Sequence, residues 1–314
     1  MGALSGASVL VTGATGFVGT HLVERLRNEH PSRVVLLARR PFHHAGADQV
    51  AIASDLADIS PSTWGDAGLD AFDVVFHLGA ATQRTRTGRL DGEAVLRTNV
   101  VGTHALLQSL SRSTKCRVVF ASAVDVFASS KKVIDESSPV RDRGLYPVSK
   151  LMGEALVADW ADRTGSQAVI ARVGHVYGPG EGAYGKAVPT FIQAALDGRP
   201  LVVYGDGSAE RDLLYVADAV EAMVRAALVP LAEPATTVIV AGAGSTPIAE
   251  IARQVADIAG RPDLVKFERD RPAGHSTRFS IEKMRRLLGD WDRVSLRTGL
   301  GNEVEHFKGA MARP

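Results

Sequence analysis

The sequence predicts an α/β protein built on a doubly wound parallel sheet, with a smaller lobe toward its C-terminal end. Three observations carry that expectation. Short, nearly continuous apolar runs recur over 8–12, 33–38, 50–54, 73–78, 117–122 and 167–173. Segments of helical periodicity, notably 17–28, 93–112 and 146–164, alternate with them. Strands that are apolar on both sides belong to sheets covered on both faces, and such alternation joins them by right-handed crossovers. The third observation is a glycine-rich turn, Thr12-Gly13-Ala14-Thr15-Gly16-Phe17-Val18-Gly19, that closes the first run and opens the first helix.

The rhythm changes after Val173. Tyr177-Gly178-Pro179-Gly180-Glu181-Gly182 reads as a loop, followed by a helix near 189–197 and a strand near 201–204. The expected division is a sheet domain over 1–173 and a smaller lobe over 174–314, with later segments free to return to the sheet.

Bulk properties exclude several classes. The chain has 314 residues, 45% of them hydrophobic and 23% charged, the balance of a globular protein. A net charge of +1 gives no global attraction to nucleic acid or to a membrane surface. The single cysteine, Cys116, permits neither an intrachain disulfide nor a cysteine-based metal site, and no metal is expected. No apolar run approaches the roughly 18 residues that span a bilayer, and the first strand begins too early for a leader. A cytoplasmic protein is the expectation.

The turn carries the first chemistry. Gly13, Gly16 and Gly19 allow a tight bend and close backbone approach to a pyrophosphate, while the helix start at Phe17 and Val18 offers free N–H groups and a positive dipole end. Such a strand–turn–helix suits a dinucleotide in a Rossmann fold. Where the second strand ends, an acid usually meets the ribose 2′-hydroxyl. Here Arg39 and Arg40 stand instead, and two guanidiniums suit a 2′-phosphate, so NADP(H) is expected over NAD(H). Asp55 and Leu56, after the third strand, are expected near the adenine.

Tyr146-Pro147-Val148-Ser149-Lys150 places a phenol and an ammonium one helical turn apart. A free phenol titrates near 10. A nearby ammonium and an oxidised nicotinamide lower that value, which would let Tyr146 exchange a proton with an alcohol or carbonyl oxygen.

With these residues in place, the chain resembles the extended short-chain dehydrogenases/reductases, the nucleotide-sugar epimerases, dehydratases and ketoreductases. Further support comes from His77-Leu78-Gly79-Ala80-Ala81, Asn99-Val100-Val101-Gly102-Thr103, Arg172-Val173-Gly174-His175-Val176-Tyr177-Gly178-Pro179-Gly180, Tyr204-Gly205-Asp206-Gly207-Ser208 and Asp270-Arg271-Pro272. The resemblance implies that Leu78, Gly79, Ala80 and Val173 line the coenzyme and that Lys150 also binds the nicotinamide ribose. It places Asn99 beside them as a packing or proton-relay residue. It assigns Lys186 and Arg211, with Arg271 a weaker third, to a nucleotide diphosphate. It also implies a homodimer through helices 93–112 and 146–164, where Leu106, Leu107, Leu151, Leu156 and Trp160 serve either the interface or the protein's own core.

Several positions depart from the family pattern. Ala123 stands where a Ser or Thr usually bonds the substrate oxygen, which leaves Ser122, a water or the substrate itself to supply the bond. Asp125 falls at a dehydratase carboxylate, yet its usual acidic neighbour is Val124. His175 replaces an expected Asn, and Thr82 and Arg84 lie on a polar loop expected to face substrate. The leading expectation is an NADPH-dependent ketoreductase acting on a nucleotide-activated deoxysugar, with Tyr146 as proton donor. The alternatives are an epimerase or dehydratase that retains its coenzyme, and a weakly catalytic NADP(H)-binding protein.

Overall fold

The computed structural model describes residues 2–42, 46, 48–65, 68–69, 71–82, 91–110, 115–130, 132–141, 143–181 and 186–311. Seven strands form one parallel sheet: β1 (Ser8–Thr12), β2 (Arg33–Ala38), β3 (Gln49–Ala53), β4 (Val74–His77), β5 (Arg117–Ala123), β6 (Gln167–Val173) and β10 (Ala235–Val240). Their spatial order is β10-β6-β5-β4-β1-β2-β3. This is the Rossmann arrangement, with one strand added beyond β6.

Alternation along each strand divides the core. Val9, Val11, Val34, Leu36 and Val119 point to one face, and Leu10, Val35, Leu37, Val118 and Phe120 to the other. The first face is covered by α1 (Phe17–Leu26) and α7 (Val216–Leu228), which also touch each other. The second is covered by α4 (Gly102–Ser109) and α5 (Leu145–Thr164), after the short helices α2 (Pro61–Gly65) and α3 (Gly92–Leu96). Leu106, Leu107 and Trp160 are buried in this second core, so they serve the sheet and not an interface. The apolar side chains exposed on this side are Leu96, Val101 and Met152.

The helix expected over 93–112 is interrupted. Between α3 and α4, Arg97–Val101 forms a π-helical turn. The widened turn carries the buried Asn99, and such bulges concentrate at functional sites.

The remaining elements build the smaller lobe. They are β7 (His175–Tyr177), α6 (Ala187–Leu196), β8 (Leu201–Tyr204), β9 (Glu210–Tyr215), β11 (Ser245–Pro247), α8 (Ile248–Ile258), β12 (Val265–Glu268), α9 (Glu282–Leu288) and α10 (Leu296–Met311). They include a three-stranded sheet, β11-β9-β7, and a pair, β12-β8. Two segments of the second half return to the large sheet: α7 covers it and β10 extends it, with Gly174 N–H bonded to Val240 O at 2.8 Å. Arg117 at the start of β5 donates to the carbonyls of Ala226 and Val229 at the end of α7, at 3.0 and 2.8 Å. The chain division at Val173 therefore marks where the chain first leaves the sheet, and one continuous core joins both parts. Among the described residues, no helix is long and apolar enough to cross a membrane.

Candidate active site

The glycine turn is as tight as its residues allow. Gly13 has φ +69°, and a Cβ there would lie 2.8 Å from Gly79 N. A Cβ on Gly19 would lie 2.1 Å from Gly13 O, so only glycine lets α1 sit this close to the turn. Gly16 caps α1 without a side-chain bond, and the first turn holds no acid. The N–H groups there are left to face an anion. The turn hangs on β2, because Gly13 N–H and Ala14 N–H both point to Leu37 O, at 3.0 and 3.5 Å. Arg39 and Arg40 follow two and three residues later, both exposed, and Thr15 is exposed on the turn itself.

A buried relay braces the neighbouring strand end. Thr12 Oγ1 accepts from Gly79 N–H at 2.9 Å and meets His77 Nδ1 at 2.8 Å, while His77 Nε2 meets Thr103 Oγ1 at 2.9 Å. Thr103 donates its own proton to Asn99 O, so it accepts from His77, whose proton sits on Nε2. Burial, then the charge of Lys150, lowers the His77 pKa to about 3 and keeps it neutral. Asn99 ties this loop to α5: Oδ1 accepts from Ala81 N–H at 2.8 Å, and Nδ2 donates to Ala81 O and Ser149 Oγ, both at 3.0 Å. Asn99 thus holds Leu78–Ala81 against the helix that carries Tyr146 and Lys150. The Asp55 carboxylate accepts from Ala57 N–H at 2.9 Å and is 31% exposed, and Leu56 is buried against Gly102.

A cavity of about 330 Å³ lies over the turn, lined by Gly13, Phe17, Leu78, Ala80, Lys150 and Val173 among others, with Tyr146 at its wall. Lys150 is buried. Its Nζ donates to Ala121 O at 2.7 Å and lies 5.1 Å from the Phe120 ring centre. Burial brings the Lys150 pKa down to about 8, with Glu154 pulling the other way. Burial, and then the charge of Asp125, pushes the Tyr146 phenol above its ordinary value. In the protein alone Tyr146 therefore holds its proton, and the Lys150 ammonium is turned toward the β5 carbonyl.

At the end of β5, Ser122 and Ala123 part company. Ser122 Oγ donates to Glu154 Oε1 at 2.5 Å, and Arg172 binds the same carboxylate through Nε at 3.0 Å and Nη2 at 2.7 Å. The Ser122 proton is thus engaged by Glu154, while the residue itself lines the cavity. Ala123 and the exposed Asp125 face the cavity, and Val124 is buried.

A larger cavity of about 1080 Å³ adjoins the first, and Asp125, His175, Val176 and Lys186 line both. His175 Nδ1 is buried without a hydrogen-bond partner among the described residues, and burial lowers the ring's pKa. Lys186 Nζ donates to Val176 O at 2.8 Å and pairs with Glu181. Arg211 lines the larger cavity and bonds the carbonyls of Glu210 and His275. Arg271 is not brought to the site: it is exposed, pairs with Glu268 at 3.3 Å and stacks on Tyr204 at 4.9 Å. Thr82 borders the smaller cavity, and Arg84 lies outside the described residues.

Comparison with known proteins fits this geometry. The family model for the NAD-dependent epimerase/dehydratase family matches residues 9–242. The chain belongs to that family. Over 96% of this chain and 92% of the relative it is 32% identical to a dTDP-glucose 4,6-dehydratase of Streptomyces niveus. It is 29% identical to a dTDP-4-dehydro-6-deoxy-D-allose reductase of a Streptomyces species, over 97% of both chains. The solved structure of MoeE5 with UDP-glucose and NAD superposes with a TM-score of 0.81 at 29% identity, covering 97% of this chain and all of that one. Members of this epimerase/dehydratase family are enzymes of oxidoreductase type, and so is this chain. The uncapped helix start and the glycines that no side chain could replace fit a nicotinamide dinucleotide.

Sequence reasoning overlooked Glu154 and the strap 274–279, of which Arg278 and Phe279 line the larger cavity. Glu154 had a visible signal, lying one helical turn after Lys150 as Lys150 lies after Tyr146. The strap had none.

Proposed function

We propose that the protein is an NADPH-dependent ketoreductase of a nucleotide-activated deoxysugar, acting as a homodimer. The observation that carries this reading is Asp125. It stands exposed in the cavity with Tyr146, its neighbour Val124 is buried and uncharged, and its charge raises the phenol's proton affinity. A dehydration needs an acid and a base in addition to the tyrosine. A reduction needs a phenol that arrives protonated, which burial and Asp125 favour.

A bound nicotinamide coenzyme supplies the hydride. The chain does the rest: the glycine turn and the start of α1 hold the pyrophosphate, and Arg39 and Arg40 meet the 2′-phosphate. Tyr146 gives its proton to the carbonyl oxygen as it gains charge. Lys150, charged below about pH 8, supports the phenolate left behind. With Ser122 engaged by Glu154, the oxygen's second donor comes from the substrate or a water. Lys186, Arg211 and His175 take the diphosphate in the larger cavity. The reductase named among the relatives supports this assignment. For the dimer, Leu96, Val101 and Met152 are exposed apolar side chains between the start of α3 and the end of α5, and a charge at any of them should yield monomers in sedimentation.

The test is a purified enzyme with NADPH and a 4-keto-6-deoxy nucleotide sugar. Stoichiometric oxidation of NADPH that vanishes in Tyr146→Phe is expected, and Arg39→Glu with Arg40→Glu should shift preference to NADH. The dehydratase relative and the NAD held by MoeE5 favour a second reading, an enzyme that recycles its coenzyme. A product formed without net coenzyme consumption would replace the first reading by the second.

A further inference from the structure

The helix that opens the coenzyme site, α1, also grips the segment that leads to Lys186. His21, one helical turn after Phe17, places Nε2 2.8 Å from Pro179 O. A carbonyl only accepts, so Nε2 carries a proton and the imidazole is the donor. Phe17 braces the ring, meeting it edge-on with centres 5.8 Å apart. The same phenyl seats the clasped turn: a Cβ on Gly180, at φ +95°, would lie 3.6 Å from Phe17 Cδ2. On its other side the turn rests against the start of α7, where a Cβ on Gly178 would meet Val216 Cγ1 at 2.8 Å.

This turn, 178–181, is closed by Glu181 N–H bonding Gly178 O at 3.1 Å, and Glu181 is wholly buried. Its carboxylate pairs with Lys186, whose Nζ also donates to Val176 O at 2.8 Å on β7. Lys186 therefore hangs from residues on both sides of Pro179, and it lines both cavities.

We propose that His21 is a positioning residue for the substrate: by pinning the turn to α1 it fixes Glu181, and through it the Lys186 ammonium, where the diphosphate of a nucleotide sugar arrives. This rests on the proposed role of Lys186 toward that diphosphate. Carboxylate and phosphates draw on one ammonium, so the place of the carboxylate decides how well the phosphates are met. Without the clasp Pro179 O turns to water, the turn gains freedom, and the ammonium must be ordered at the moment of binding. The loss falls on ligands that bring phosphates to Lys186. It spares the coenzyme, whose turn is tied to β2 through Leu37 O.

The test sets diphosphates against the nucleosides they are built on. UDP and dTDP are titrated calorimetrically into the coenzyme-loaded enzyme, and uridine and thymidine are followed by ligand-observed NMR. His21→Leu keeps an apolar body against Phe17 and has no donor. Its affinity for both diphosphates should fall by roughly two- to tenfold, the span of one net hydrogen bond, with nucleosides and NADPH bound as by wild type. His21→Gln, whose amide N–H has a similar reach, should recover most of the loss. His21→Asn, one methylene shorter, should behave as His21→Leu and takes its place if that variant does not fold. Equal weakening of nucleosides and diphosphates overturns the inference, as does unchanged diphosphate affinity in the donor-less and shortened variants, or a Gln variant no better than they are. Wild-type enzyme that binds UDP and dTDP no more tightly than the nucleosides removes the diphosphate site itself, and this inference with it.

Discussion

Replacing Glu154 by Gln strikes the point where the sheet, the catalytic helix and β6 meet. The carboxylate accepts from Ser122 at 2.5 Å and from Arg172 at 3.0 and 2.7 Å, and the two charged side chains are only 9% and 10% exposed. An amide keeps one acceptor oxygen but turns an NH₂ toward Arg172 and leaves a buried guanidinium without a countercharge. Removing one partner of a buried pair costs about 3–5 kcal/mol, and the retained acceptor points to about 3. Unfolding entropy near 2.1 cal/mol/K per residue gives roughly 0.7 kcal/mol/K for this chain, so Tm should fall by about 4–5 °C. Scanning calorimetry reads this directly. Adding Arg172→Met should recover most of the loss, because replacing a whole buried pair is close to neutral. Glu154 also supports the charge of Lys150, so in Glu154→Gln the loss of activity on raising pH should begin below about 8. A Tm within about 1 °C of wild type, or simple additivity of the two substitutions, would refute the reasoning.

Two further outcomes follow from the same geometry. His77 is neutral in the folded protein down to about pH 3, while its unfolded form binds a proton below about 6.5. Stability should therefore fall by about 1.4 kcal/mol per unit as pH drops below that value, and His77→Gln should flatten the acid limb of a denaturant-midpoint series. Gly19→Ala forces a methyl to 2.1 Å from Gly13 O, so the turn must shift. An overpacking cost of about 1–3 kcal/mol corresponds to a loss of coenzyme affinity of roughly five- to 150-fold, read by quenching of NADPH fluorescence, and undiminished affinity would count against the turn as the pyrophosphate site.

The sheet was legible wherever its cause is local. β1, β2 and β6 begin and end where their apolar runs do, because strands covered on both faces need apolar residues at every position. The glycine turn was legible for the same reason, since its steric demand leaves one residue type. What escaped depends on partners distant in the chain. β10 is a short apolar run whose place is decided by the bare edge of β6. The π-turn at Asn99 arises because that side chain bonds Ala81 and Ser149, which no helical periodicity announces. Ser122 looked like a free donor until Glu154 of α5, itself held by Arg172 of β6, claimed its proton. Leu106 and Trp160 face the sheet and not a partner subunit because α4 and α5 are pinned there by close approach, as at Gly153, where a Cβ would meet Phe120 at 2.7 Å.

The return of β10 also bears on how the protein is made. β6 is complete long before residues 235–240 leave the ribosome, and until then one row of its N–H and C=O groups has no strand beside it. Such an edge is a template for any other extended chain. The last strand added thus completes the sheet and closes off the surface by which two nascent copies could join, so a product cut short after β6 would be prone to clumping even with its glycine turn intact.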